Sequence, residues 1–372
     1  MSESKDGITD RRAQRSIGFL CRSSMVALAF AAAPFGAAAA AQTAGGAGAS
    51  IASIAHYGGA DRQAFLETGA RKEGSLVVFS STGDPAITKV VGAFVAKYPF
   101  LKVSVPCCLN SPTDVTTRAL AEFKSGRSSI GVVETFVSGL NAMRMSRVLT
   151  TFTTPNSALH LEQATDRDHF HIATRSNQRG LAINTKAIPL ETAPKSWSEL
   201  LDSKWKGRMS VAGGEAATGL IAYIQETQPK GYLEKFAAQE PRLIQVTARA
   251  LAEMLVSGEV EMSPTITRAH LNAAMAKGAP VAFVPISPVL SISTGVALPA
   301  SSPTPHAAML FIDFLTSPEG QQIYLNAGFE SLSPGFMKPE DRRLTFIFPE
   351  SDPGYPKRSN ELADLLSQLF RF

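Results

Sequence analysis

The sequence predicts an α/β fold of two lobes, each a mixed, mostly parallel sheet flanked by helices. Three observations predict it. Strand-like and helix-like stretches alternate along most of the chain, the signature of a largely parallel sheet. A βαβ unit occupies residues 74 to 106 (GSLVVFSSTGDPAITKVVGAFVAKYPFLKVSVP). Finally, 372 residues that are 44% hydrophobic and only 18% charged can bury more core than one lobe needs.

The βαβ unit sets the pattern. Leu76 to Phe79 is a continuous apolar run, as expected of a strand covered on both faces. Ser80, Ser81, Thr82 and Gly83 break it, Asp84 stands where an N-cap belongs, and Pro85 suits the first helical position. Ile87, Val90, Val91, Phe94, Val95 and Tyr98 then share one helix face, Pro99 stops the helix, and Leu101, Val103 and Val105 alternate as a second strand. The loop at 80–83 therefore offers hydroxyls and backbone N–H groups at a helix N-terminus, beyond the carboxyl end of a strand. Open α/β sheets bind ligands there.

Ahead of this unit, residues 1–41 read as a cleaved signal peptide: Arg11, Arg12, Arg15 and Arg22 precede an alanine-rich apolar run that ends in small residues. Export would follow the general secretory route or, given Arg11-Arg12, the twin-arginine route. Losing this segment removes five basic and three acidic residues and lowers the formal net charge from +4 to +2. A chain so near neutrality makes no case for nucleic acid. No later apolar run is long enough to span a bilayer, so the exported chain is expected to be soluble. Residues 42–73 read as a lead-in, Gly/Ala-rich and flexible over 42 to about 55. Cys107 and Cys108 are adjacent, either a strained vicinal disulfide or two thiols in a loop.

Further along, 115–123 and 140–148 read as helices around a strand at 130–134 that ends in Glu134, and 150–170 as a surface connection. Residues 171–184 have strand character with Arg175 in the middle. Ser196 caps a short helix holding Trp197, Trp205 follows, and a strand at 209–212 breaks at Gly213-Gly214-Glu215 before a helix at 217–226. Helices are expected at 246–257 and 269–277, strands at 281–285 and 291–298, and two helices over 304–324. These last are punctuated by Thr316-Ser317-Pro318-Glu319, a capping-box spacing.

Residues 79–105, the NTKAIP segment with PKSWSELLDSKWKGRMSV, and KGAPVAFV through GVALPASSPTPHAAMLFIDFLTSPEGQQIY together resemble bacterial extracellular solute-binding proteins. The likeness is to the ferric-iron-binding-like branch of the type II periplasmic binding fold and runs over about residues 74–330. It implies two α/β lobes with a ligand cleft between them and delivery of the solute to an inner-membrane ABC permease. Mapped here, lobe 1 is 74–174 plus 292–334, lobe 2 is 175–291, and the tail at 335–372 has no assigned lobe. The protein is expected to be a monomer with no cofactor and no catalytic activity. The pattern breaks where iron-binding members carry adjacent tyrosines, hard donors for Fe(III). Residues 265–270 read Thr-Ile-Thr-Arg-Ala-His instead. No metal site is expected, and a small anionic or zwitterionic organic solute suits the chain better than ferric iron.

Candidate ligand contacts are Ser80, Ser81 and Thr82 in the first loop, Gly214 and Thr218 in the matching loop of lobe 2, Arg175 on the crossing segment, Glu134 for a solute amine, and Arg268 as a second anion contact. Each also has a structural role open to it, in capping or ion pairing. His169 and His171 alternate along a strand-like stretch, a two-ligand spacing with no third ligand. Trp197 and Trp205 read as core. Other functions remain: a periplasmic adaptor that presents the solute to a sensor kinase, an iron carrier with non-tyrosine ligands, or a secreted hydrolase. The last is weakened by the absence of G-x-S-x-G and H-E-x-x-H motifs.

Overall fold

The computed structural model describes residues 50–107, 111–349, 352 and 354–369. The expected signal peptide and Cys108 lie outside the described residues; Cys107 is exposed. The strands are β1 (Ser75–Ser80), β2 (Lys102–Ser104), β3 (Val132–Phe136), β4 (Leu149–Thr150), β5 (Ile172–Asn184), β6 (Ser210–Ala212), β7 (Arg242–Ile244), β8 (Met262–Thr267), β9 (Val281–Val284), β10 (Val289–Pro299) and β11 (Phe346–Ile347). The helices are α1 (Ile51–Ala55), α2 (Arg62–Glu73), α3 (Ala86–Lys97), α4 (Pro112–Lys124), α5 (Val137–Met145), α6 (Glu215–Thr227), α7 (Tyr232–Ala237), α8 (Ala248–Ser257), α9 (Arg268–Ala276), α10 (Pro305–Thr316), α11 (Pro318–Asn326) and α12 (Tyr355–Leu369).

The central sheet runs β2-β1-β3-β10-β5-β8. Strands β2, β1 and β3 are parallel, as the βαβ pattern requires, and a second parallel pair forms between β6 and β7. The two long strands β5 and β10 run antiparallel to each other, and each carries neighbours from a different part of the chain. Both faces are covered by helices, which is why β1 reads as an unbroken apolar run over Leu76–Phe79. Around β1 and β3, Leu76, Val78 and Val132 pack with α3 and α10, whereas Phe79 and Val133 pack with α4 and α5. Around β5, Leu181 and Ile183 pack with α6, and Ala182 packs with α8 and α9, the alternation of a strand between two helical layers.

Several expectations are corrected. The stretch read as a lead-in carries α1, capped by Ser50, and α2, whose Leu66 and Ala70 are fully buried against α10. Its periodicity is weak because the buried stripe is narrow and polar residues surround it. Asp84 does not cap α3. Pro85 takes the N-cap position with no side-chain cap, and the Asp84 carboxylate accepts from the Thr88 hydroxyl at 2.6 Å. The capping box before α11 is half made: Ser317, not Thr316, caps the helix, and Glu319 pairs with Lys97 at 2.7 Å. His169 sits at φ 62° in a turn before β5 begins at Ile172, so it does not share a strand face with His171. His171 is buried, which pushes its imidazole down to about 4. Trp197 and Trp205 lie in the core with Tyr223.

Candidate functional site

The site is organised by β5. Its register against β10 slips between Thr294, opposite Arg175, and Gly295, opposite Ala173, so Thr174 is an extra residue in the strand. Such a bulge turns two consecutive side chains to one side. Thr174 and Arg175 accordingly enter the same polar cluster. Thr174 donates to Glu134 at 3.1 Å, and Arg175 Nη2 donates to the Thr82 hydroxyl at 2.7 Å.

Glu134 is the hub of that cluster. It is fully buried on β3, and its oxygens accept from the hydroxyls of Ser80 (2.7 Å), Thr82 (3.0 Å), Thr174 and Tyr324. A carboxylate so buried and so surrounded by hydroxyls has no access to a solute amine. Burial, and then the Glu134 charge, raise the Tyr324 phenol well above its usual range. Thr82 relays between Glu134 and Arg175, donating to one and accepting from the other.

The first loop is therefore largely spent on structure. The Ser81 N–H bonds the Glu134 carbonyl oxygen, the Thr82 N–H bonds the Ser80 hydroxyl, and the Ser80 and Thr82 hydroxyls serve Glu134. Of the three hydroxyls, that of Ser81 is the one with no hydrogen-bond partner among the described residues. Arg175 is 3% exposed, its Cζ lies 4.6 Å from the Phe329 ring centre, and its Nε and Nη1 have no hydrogen-bond partner among the described residues. Such unused donors on a buried cation are uncommon and call for an explanation.

In the second loop, Gly214 stands at φ 60°, ψ −137°, a conformation essentially confined to glycine, and it opens α6. Thr218 turns its hydroxyl back onto the Gly214 and Glu215 carbonyls, at 3.4 and 3.2 Å. Arg268, expected as an anion contact, is already neutralised: its Nη1 reaches both Asp341 oxygens, at 2.8 and 3.0 Å, and Gln178 at 3.2 Å. Asp341 comes from the tail, 73 residues away, and nothing near Arg268 in the sequence announces it. Sequence reasoning missed Arg179, four residues beyond Arg175 on β5, although its spacing placed it on the face that Arg175 occupies.

A cavity of about 710 Å³ opens elsewhere, lined by Arg144, Asp166, Asp168, His171, Phe346 and Phe348 among others. Much of its charge is committed internally, since Arg144 pairs with both Asp166 and Asp168. Among the described residues no group of three or more His, Cys, Asp or Glu is placed to hold a metal.

The sequence profile of bacterial extracellular solute-binding proteins matches residues 143–352, more than half of the chain. The chain belongs to that family. Solved structures share the fold of this solute-binding protein. Iron-bound HitA from Pseudomonas aeruginosa superimposes with a TM-score of 0.66 at 19% identity, over 78% of this chain and 99% of that one. AfuA from Actinobacillus pleuropneumoniae, with fructose-6-phosphate bound, gives 0.66 at 19% identity over 80% and 99%. Among curated proteins, an uncharacterized protein of Haemophilus influenzae is 22% identical over 276 residues, 70% of this chain and 78% of that one. The two-lobed type II periplasmic binding fold is thus the fold of this solute-binding protein.

Proposed function

We propose that this solute-binding protein is the periplasmic receptor of an ABC importer and captures a small anionic or zwitterionic organic solute for delivery to the membrane permease. The observation that carries the reading is Arg175, a guanidinium 3% exposed on a strand shared by both halves of the sheet, with two N–H groups unused. A buried cation whose donors are unmet is costly, and a carboxylate, phosphate or phosphonate satisfies a guanidinium fork with two charge-assisted hydrogen bonds. Ser81, with its free hydroxyl, and the Gly214 loop at the start of α6 supply further contacts. Ser80, Thr82 and Glu134 hold Arg175 in place, Thr218 fixes the α6 turn, and Arg268 braces the tail. Residues 74–174 with 292–334 and residues 175–291 form the two lobes, and the solute stabilises the closed form through contacts it makes only there.

A thermal-shift screen tests this on the chain from Gln42 onward, against ferric iron, carboxylates, phosphonates, polyamines and neutral sugars. A ligand that binds only the folded state raises the melting temperature by mass action. The expected result is a shift with an organic anion that falls at least tenfold in apparent affinity in Arg175→Gln. A shift confined to ferric iron or to polyamines overturns the reading.

A further inference from the structure

Arg179 repeats the anomaly of Arg175 one step deeper along β5. It is 6% exposed, and its Nε and Nη1 have no hydrogen-bond partner among the described residues. Among the described residues its one ion-pair partner within 4 Å is Glu215, at 3.9 Å from Nη2, beyond hydrogen-bond distance and 43% exposed through its side chain. The guanidinium lies at the second turn of α6: a methyl group added to Gly219 would sit 3.5 Å from Nη1 and 4.0 Å from the Tyr355 hydroxyl. His270, close by, is pushed down to about 4 by burial and by the Arg249 and Arg179 cations, so it brings no second positive charge and no counter-charge at neutral pH.

Residues four apart in a strand share a face, with α-carbons separated by about 13 Å. Arg175 reaches back to the loop at the start of α3, and Arg179 reaches to the start of α6. Four buried donors, two at each end, are thus left over on a single strand face between two helix starts. One small anion cannot satisfy both forks at such a separation unless it carries a charged group at each end.

Resting on the reading of Arg175 given above, we infer that Arg179 is a second anion-binding residue of the same site and that the solute carries two anionic groups. One anionic group lies on Arg175 and a second, on the same small molecule, on Arg179. A dicarboxylate and a phosphorylated or phosphonylated carboxylic acid share this chemistry.

The test compares dianions with monoanions of similar length, by calorimetry and thermal shift on the chain from Gln42 onward: succinate, glutarate and the doubly headed anion 3-phosphoglycerate against butyrate and diethyl phosphate, a phosphodiester with a single charge. Wild type is expected to bind at least one dianion tenfold or more tighter than any monoanion. Arg179→Gln should reduce that dianion to monoanion level while leaving monoanion binding unchanged, and Arg175→Gln should abolish both. Should Arg179→Gln fail to fold, Glu215→Gln serves instead: removing the exposed carboxylate beside Arg179 should tighten dianion binding and leave monoanions unaffected. If monoanions bind as tightly as dianions through Arg175, and neither Arg179→Gln nor Glu215→Gln discriminates between them, the inference fails and the Arg175 reading stands. If no anion of either kind binds, both fail.

Discussion

Glu330 shows how a single side chain couples this protein to pH. It is 3% exposed, neither carboxylate oxygen has a hydrogen-bond partner among the described residues, and burial raises its carboxyl to about 7 against the pull of Arg268 and Lys338. The folded state therefore holds a proton that the unfolded chain releases near pH 4.5. Between that value and about 7 the folded state binds more protons, so stability falls as pH rises, and the full cost is present above 7. Glu330→Gln keeps the shape and removes the titration. It is expected to raise the melting temperature relative to wild type at pH 8, by at most about 3 kcal/mol of stability, and to match wild type near pH 4.5. Parallel pH profiles of both proteins that never diverge would show that Glu330 is solvated. Arg175, by contrast, was readable in the sequence as a cation on a crossing strand. Its orphaned donors were not, because satisfaction depends on which distant groups come within 3.5 Å. The same reasoning separates Ser81 from Ser80: adjacent serines look alike in sequence, and only the position of Glu134 decides which hydroxyl is spent.

At the scale of elements, α2 is held to α10 through a charged pair as well as through Leu66 and Ala70. Arg62 donates to both oxygens of Asp313, at 2.8 and 3.2 Å, and to the carbonyls of Tyr57 and Thr153. Burial pushes Asp313 up, and Arg62 draws it back. Arg62→Met should strand the carboxylate and cost on the order of 3 kcal/mol in urea unfolding, with much of the loss recovered in the double variant Arg62→Met, Asp313→Leu. A double variant no more stable than the single would remove the pair from the account. Helix α2 shows the limit of periodicity: an element that docks through a narrow stripe and an ion pair carries little pattern of its own. Strand β8 escaped notice for a related reason. Its six residues, Met-Ser-Pro-Thr-Ile-Thr, include a proline and three hydroxyl residues, yet they are buried throughout between β5 and β6.

Across the whole molecule, the tail closes the architecture. Helix α12 packs on α6, and its Tyr355, Leu362 and Leu366, spaced at seven and four residues, join the core that holds Trp197 and Tyr223. Helix α12 thus packs chiefly with elements of residues 175–291, with a smaller contact to α5, a placement its sequence left open. Leu362→Asp places a charge in that core and should cost several kcal/mol, read as a lower urea midpoint and increased binding of an apolar dye. An unchanged midpoint would mean that α12 is dispensable. The sequence by itself determined the alternating α/β architecture, the two strand-loop-helix units and the strand that carries Arg175, because these rest on periodicity and on residues adjacent in the chain. The tertiary structure alone decided which buried polar groups are left without a hydrogen-bond partner among the described residues. Glu134 is satisfied by Thr174 and Tyr324, 40 and 190 residues away, and Arg268 by Asp341, 73 residues away. Whether a buried polar atom is paired or spare is a property of neighbours in space, and folding sets those neighbours together only after the local pattern has done its part.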